Sequence, residues 1–158
     1  LLVKEFLDDS FRWINSGYVL TKGAEFSLQY RKNNIKGTFD FTYNDSEDEN
    51  GSKIPEISKF TSGFTFYYYL NSIFGFGIRG RYYSERDNPK KIKTEENNKI
   101  DDYFILNSGI NLKVSQNMKI NFFIENLLDT KYWHPSNLPP DRYRQPGRTL
   151  RLRFLYEF

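Results

Sequence analysis

The chain closes on Arg148-Thr-Leu-Arg-Leu-Arg-Phe-Leu-Tyr-Glu-Phe158, and the reading of these eleven residues decides the fold. Successive side chains of an extended strand point to opposite faces. Leu150, Leu152, Phe154, Tyr156 and Phe158 therefore share one face, and Thr149, Arg151, Arg153 and Glu157 share the other, with Leu155 the one apolar intruder. A bare apolar face backed by a charged one suits a barrel wall with hydrocarbon outside and water inside.

The same period of two recurs upstream, in residues 21–30, 35–43, 60–70, 73–83, 102–114 and 118–127. In residues 21–30, Ala24, Phe26, Leu28 and Tyr30 oppose Glu25, Ser27 and Gln29. In residues 118–127, Ile120, Phe122 and Ile124 oppose Lys119, Asn121 and Glu125. Period two predicts strands rather than helices. Between the strands, short connections (Lys32-Asn33-Asn34, Asn71-Ser72, Ser115-Gln116-Asn117) alternate with long polar ones at 44–57, 87–101 and 128–147. Asn tolerates the positive φ of tight turns. Tight turns on one rim and long loops on the other are the pattern of outer-membrane barrels. In the last hairpin Glu125 should lie near Arg151; in the first, a two-residue shift of register keeps Glu25 away from Asp40 and is preferred. Residues 1–17 alternate poorly, are interrupted at Asp8-Asp9-Ser10, and supply either part of another strand or a loop.

Composition agrees. Of 158 residues, hydrophobic ones are 38% but aromatic ones 18%, which suits short strands with rings at an interface better than a helical core. No run approaches the roughly 18 apolar residues of a membrane-spanning helix, a test to which barrel strands are blind. The net charge of +3 is dispersed, so no nucleic-acid patch is expected. Without cysteine there are no disulfides, thiolate catalysis or Cys-based metal sites. The chain opens Leu-Leu-Val-Lys without initiator Met or signal peptide, so a fragment or processed product is expected.

Four stretches together resemble the C-terminal part of the β-barrel of TonB-dependent outer-membrane receptors. Asn15-Ser-Gly17 with Lys22-Gly-Ala-Glu25 is similar to the family's lead-in to a strand, and Ile54-Pro-Glu-Ile-Ser-Lys59 to its return into the next. Phe123-Ile-Glu-Asn-Leu-Leu-Asp-Thr-Lys-Tyr132 resembles the family's Val-x-Asn-Leu-Phe-Asp-x-x-Tyr, and Arg144-Gln-Pro-Gly-Arg148 its Pro-Gly-Arg approach to the last strand. The terminal strand, through Phe154, Tyr156 and Phe158, resembles the assembly signal of bacterial outer-membrane proteins. The resemblance implies that residues 1–158 are seven to eight strands of a 22-stranded antiparallel barrel in the outer membrane, with the plug domain absent. It further implies energy from TonB–ExbB–ExbD acting through the missing plug, and contact with lipid, lipopolysaccharide and the barrel-assembly machinery. The implied cargo is a scarce nutrient such as a ferric siderophore or similar iron chelate. Two alternatives stay open: a complete eight-stranded barrel acting as adhesin or structural protein, and a soluble ligand-binding barrel, which would expose a large apolar surface.

Several motifs invite sharper readings. Gly75-Phe-Gly77-Ile-Arg-Gly80 spells a dinucleotide fingerprint, but no helix follows to present amides to phosphate, so the glycines are read as clearing space for bulky neighbours or a plug. Asp45-Ser-Glu-Asp-Glu-Asn-Gly51 suggests a calcium loop, yet aligning Gly51 puts Ser46 and Ile57 where carboxylates are required. A solvated acidic loop is expected instead. His134 is the only histidine, in Tyr132-Trp133-His134-Pro135 on the longest connection. For His134 alone, loop packing is preferred over ligation of haem or a ferric chelate. As a group, Tyr132, Trp133, His134, Arg142, Tyr143 and Arg144 combine aromatic area with cationic donors suited to an anionic, ring-bearing chelate, and are the expected ligand-binding residues. No catalytic set, resident cofactor or metal-ligand spacing is found, and no enzymatic activity is expected.

Overall fold

The computed structural model describes residues 2–7, 10–15, 17–51, 53–54, 57–87, 99–135 and 142–158, the first two stretches by backbone alone. The strands are β1 (Leu2–Leu7), β2 (Ser10–Asn15), β3 (Val19–Lys32), β4 (Ile35–Asp48), β5 (Phe60–Tyr69), β6 (Phe74–Tyr83), β7 (Arg86–Asp87), β8 (Lys99–Ile100), β9 (Tyr103–Lys113), β10 (Met118–Glu125), β11 (Trp133–Pro135), β12 (Arg142–Arg144) and β13 (Thr149–Tyr156). Seven of them form one antiparallel sheet in the order β13-β10-β9-β6-β5-β4-β3. Both β3 and β13 are edges, so the sheet is an open wall. Strands β1 and β2 pair with each other rather than extending it.

Register carries the period-two pattern across the wall. Phe26 faces Phe41, Phe41 faces Ser62, Ser62 faces Tyr82 and Tyr82 faces Phe104. At the far edge Ile120 faces Phe154 and Phe122 faces Leu152. Because directly paired residues share a face, the apolar rows of all seven strands lie on one side. That side is bare: Leu28, Leu150, Leu152 and Phe154 are each more than half exposed. Among the described residues only Ile100 and Tyr103 are buried apolar side chains. A wall this apolar with so little interior is built for a nonaqueous solvent on that face. Aromatic residues mark its two rims, Tyr30, Tyr68 and Tyr156 beside the short turns and Tyr43, Phe60 and Tyr82 beside the long connections, as interfacial girdles do.

Glu25 pairs with Thr42 and Ser27 with Asp40, the register that separates the two carboxylates. On the polar face Arg151 Nη2 lies 2.9 Å from Glu125 Oε2, and Arg81 Nη1 lies 3.2 Å from Asp40 Oδ2. The short turns use asparagine as expected. Asn33 takes φ +50°, and Asn71 Oδ1 accepts from the N–H groups of Ile73 and Phe74 at 2.9 and 2.8 Å. Phe158 follows the terminal strand to this same rim, where Glu157 N–H donates to Asn117 O at 2.9 Å.

Differences from the sequence reading lie in the described parts of the long connections, which carry more regular pairing than their composition suggests. Strands β3 and β4 run past the expected ends because Lys22 faces Asp45 and Thr21 Oγ1 meets Ser46 Oγ at 2.9 Å. The acidic stretch is held by lysine: Lys53 Nζ reaches Asp45 Oδ1 at 2.5 Å and Glu47 Oε1 at 2.7 Å. Connection 87–101 carries the short β7–β8 pair, and 128–147 the β11–β12 pair. Gly77 has no phosphate role, since a Cβ there would lie 2.5 Å from the Tyr67 ring that covers it. Gly23, in the lead-in motif, is needed because the carbonyl of Tyr43 comes within 2.5 Å of where a Cβ would stand. Asp8, Asp9, Ser16, Pro55, Glu56 and 136–141, parts of the stretches discussed above, lie outside the described residues.

Candidate functional site

The site is built on the long-connection rim, and its foundation is Asn126. This residue ends β10 by taking φ +50°, and it is 3% exposed. Its side chain stands in for missing backbone partners. Nδ2 donates to Thr130 O at 2.9 Å and Pro146 O at 3.3 Å, while Oδ1 accepts from Thr130 N–H at 2.9 Å. Asp129 Oδ1 accepts from Arg148 N–H at 2.8 Å, and Thr130 Oγ1 donates to Phe104 O at 2.9 Å. The Asn-Leu-Leu-Asp and Pro-Gly-Arg stretches thus clamp each other, pinning both ends of the longest connection to the wall.

From this clamp the β11–β12 pair rises in register, with Trp133 facing Arg144, His134 facing Tyr143 and Pro135 facing Arg142. Alternation sends its side chains two ways. Tyr132 and His134 turn onto Tyr103, with ring centroids 4.7 and 6.4 Å away, and His134 Nε2 lies 3.3 Å from Tyr103 Oη. Trp133 turns away and carries the Arg142 guanidinium 5.2 Å from its ring centre. Tyr143 and Arg144 are exposed. The structure therefore turns Tyr132 and His134 onto Tyr103, puts Trp133, Arg142 and Arg144 on the other face, and leaves Tyr143 exposed on the His134 side. His134 also meets the Tyr132 ring edge-on, with ring centres 5.6 Å apart.

Beneath Tyr132 and His134 lies Arg86, which sequence reasoning missed. Its side chain is buried, Nη1 donating to Ser58 Oγ at 3.3 Å and Nη2 to Trp133 O at 3.3 Å and Tyr103 Oη at 3.5 Å. The guanidinium carbon also lies 5.4 Å from the Tyr103 ring centre. One residue thereby joins three connections. Partial burial lowers the His134 pKa below its ordinary value, helped by the positive charge of Arg86, so the imidazole is neutral near pH 7. Burial likewise raises the Tyr132 phenol. Thr42, Thr61, Tyr83, Arg86, Tyr103 and His134 line a depression of about 360 Å³ at this rim of the polar face. Among the described residues no carboxylate lines it. The arrangement offers hydrogen-bond donors, stacked rings and positive charge, and lacks the nucleophile–base geometry of a catalyst.

The pattern of the family described as "TonB dependent receptor-like, beta-barrel" matches residues 3–127. The chain belongs to this family. It is a section of the wall of a bacterial outer-membrane β-barrel, with the apolar face toward lipid and the polar face toward the lumen. The family consists of receptors and transporters rather than enzymes.

No curated protein matches the chain by sequence. Solved structures do match the fold. The ferric-catecholate import receptor Fiu from E. coli K12 is similar at 16% identity and TM-score 0.78, over 98% of this chain and 23% of Fiu. The copper transporter OprC is similar at 17% identity and TM-score 0.79, over 100% of this chain and 26% of OprC. The siderophore receptor PirA from Acinetobacter baumannii is similar at 21% identity and TM-score 0.75, over 94% of this chain and 23% of PirA. The chain thus spans about a quarter of the length of these proteins.

Proposed function

We propose that residues 1–158 form the C-terminal wall of a TonB-dependent receptor that imports a scarce nutrient, a ferric siderophore or similar iron chelate. A plug outside this chain would fill the lumen and receive energy from TonB–ExbB–ExbD. The observation carrying this reading is the concentration of rings and cationic donors at the lumenal mouth, from Tyr103, Tyr132 and His134 to Trp133, Arg142, Tyr143 and Arg144. Such a surface suits an anionic chelate with aromatic groups. Two of the similar structures are described as a ferric-catecholate import receptor and a siderophore receptor, which supports iron, and one as a copper transporter, which keeps the metal open.

The open edges favour a larger barrel over an eight-stranded adhesin. Each unpaired backbone group in hydrocarbon costs several kcal/mol, so β3 and β13 require neighbouring strands in the membrane. The outer face would meet lipid and lipopolysaccharide, and the terminal strand the barrel-assembly machinery. The test is radiolabelled-iron uptake by iron-starved cells carrying the intact receptor. Replacing Arg142 and Arg144 by Ala should reduce uptake at low chelate concentration while barrel levels stay normal. Cells lacking the receptor that take up every offered iron chelate normally would refute iron import.

A further inference from the structure

Arg86 presents an electrostatic imbalance that the fold does not resolve. Burying a guanidinium normally requires an anionic partner, because the charge loses its water. All three hydrogen bonds of Arg86 go to neutral oxygens, those of Ser58, Trp133 and Tyr103, at 3.3–3.5 Å. These are longer than the roughly 2.7–2.9 Å of charge-assisted pairs. Among the described residues no carboxylate lies within ion-pair distance of Arg86; the flanking Glu85 is instead engaged by Lys99 Nζ at 2.6 Å. A guanidinium has five N–H donors, so two remain without a protein partner among the described residues. The cation borders the depression of about 360 Å³, whose walls add Tyr83, Tyr103 and His134, with rings of Tyr83 and Tyr103 stacked at 5.1 Å.

We infer that this depression is a seat for a monoanionic aromatic group, an arene bearing a carboxylate or equivalent oxyanion, whose charge meets Arg86 and whose ring packs on Tyr103 and His134. The fit is chemical. The guanidinium supplies the opposite charge, its remaining Nε–H and Nη1–H can each donate singly to an oxyanion oxygen, and the surrounding rings match an arene face. Thr42 and Thr61 hydroxyls on the floor supply further donors. The neutral imidazole of His134 can donate to an oxyanion or stack without adding a second charge. Lipopolysaccharide phosphate is excluded as the occupant by position, because the seat opens on the lumenal face and not toward lipid. The inference rests on the receptor reading and deepens it by naming the ligand chemistry of one place in the mouth.

The test uses the intact receptor in detergent, with benzoate as probe and benzamide as its uncharged isostere, titrated by ligand-observed NMR. Benzoate should bind and benzamide should not. Arg86→Gln should weaken benzoate by about tenfold or more, the loss of one charge-assisted interaction. Arg86→Lys, which keeps the charge if Gln proves unstable, should retain the preference for benzoate over benzamide. Ser58→Ala, which removes a hydrogen bond of Arg86 but no charge, should leave that preference intact. Equal binding of the two probes, or unchanged benzoate affinity in folded Arg86→Gln, would overturn the inference. Iron-chelate uptake that persists despite such a result would leave the receptor reading standing. A confirmed seat in a receptor that imports no iron chelate would sink the iron reading alone.

Discussion

Exchanging the character of two adjacent residues in β13 separates the two faces of the wall. Leu152 lies on the apolar face opposite Phe122 and is 73% exposed, and Arg153 follows it on the lumenal face opposite Asn121. In the intact barrel, lipid covers Leu152. An exposed fraction of that size on a leucine corresponds to roughly 130 Å², worth about 3 kcal/mol at about 25 cal/mol per Å². Leu152→Arg removes this contribution and adds about 2–4 kcal/mol for a guanidinium near the bilayer midplane. The combined loss, about 5–7 kcal/mol, is a large share of the roughly 5–15 kcal/mol that holds typical proteins folded. Arg153→Leu instead places a leucine where water and lumenal groups meet it, a change of about 1 kcal/mol or less. Refolding the intact receptor into lipid vesicles over a urea series, with heat-modifiable gel mobility as readout, measures both. The expected result is a sharply reduced folded fraction for Leu152→Arg beside a nearly normal one for Arg153→Leu. Equal losses for the two, or a greater loss for Arg153→Leu, would refute the face assignment.

Other predictions concern the rims. Deleting Phe158, which is fully exposed and touches the Tyr156 ring at 5.3 Å, should lower the amount of intact receptor in the outer membrane without changing ligand affinity per molecule; normal levels with lost affinity would reverse its role. Asn126→Ala abandons three hydrogen bonds at a nearly buried position and should cost roughly 3 kcal/mol. Hydrogen exchange should then accelerate through residues 127–148 while β9 and β10 stay protected. His134 has a folded pKa below its ordinary 6.5, so the unfolded or undocked hairpin binds more protons between those two values. Docking of β11–β12 should be fully stable above pH 6.5 and weaken as pH falls below it, giving faster proteolysis in the hairpin; the slope should vanish in His134→Gln. A cysteine replacing exposed Tyr143 should be labelled on whole cells by a membrane-impermeant reagent; labelling only after the outer membrane is breached would invert the topology.

Most of the wall was legible because its information is local and periodic. Each strand of the sheet announces its faces through alternation, and the turn at Asn33 announces itself through a residue that tolerates positive φ. Even register was partly readable, since the repulsion between Glu25 and Asp40 excluded one pairing and Thr42 took the place opposite Glu25. The site was less legible, for a physical reason. Tyr132 and His134 stood out as aromatic and titratable residues on a long connection, yet which of the six neighbours turn inward depends on the clamp at Asn126. The amide of Asn126 joins residues 4 and 20 positions away, and no window of sequence contains both of its partners. Arg86 was harder still. It sits where alternation fails and a polar stretch begins, so composition marks it as one more solvated cation. Its burial arises only when Ser58, Tyr103 and Trp133 arrive from separate connections, 28, 17 and 47 positions away.

Tolerance to substitution differs between the wall and its mouth. The wall tolerates substitution that preserves alternation, because lipid and water judge each face only by polarity. The mouth does not share that tolerance, since Arg86 and Asn126 each satisfy groups from several connections at once. A change at either has no local substitute: loss of Asn126 leaves the carbonyls of Thr130 and Pro146 without their donor, and loss of Arg86 leaves the Trp133 carbonyl and the Tyr103 hydroxyl without their shared partner. Exposed neighbours such as Tyr143 and Arg144 carry no such obligation and are free to vary with the ligand. The fixed part of the mouth is therefore its buried polar framework, and the adjustable part is the exposed side chains of the β11–β12 pair.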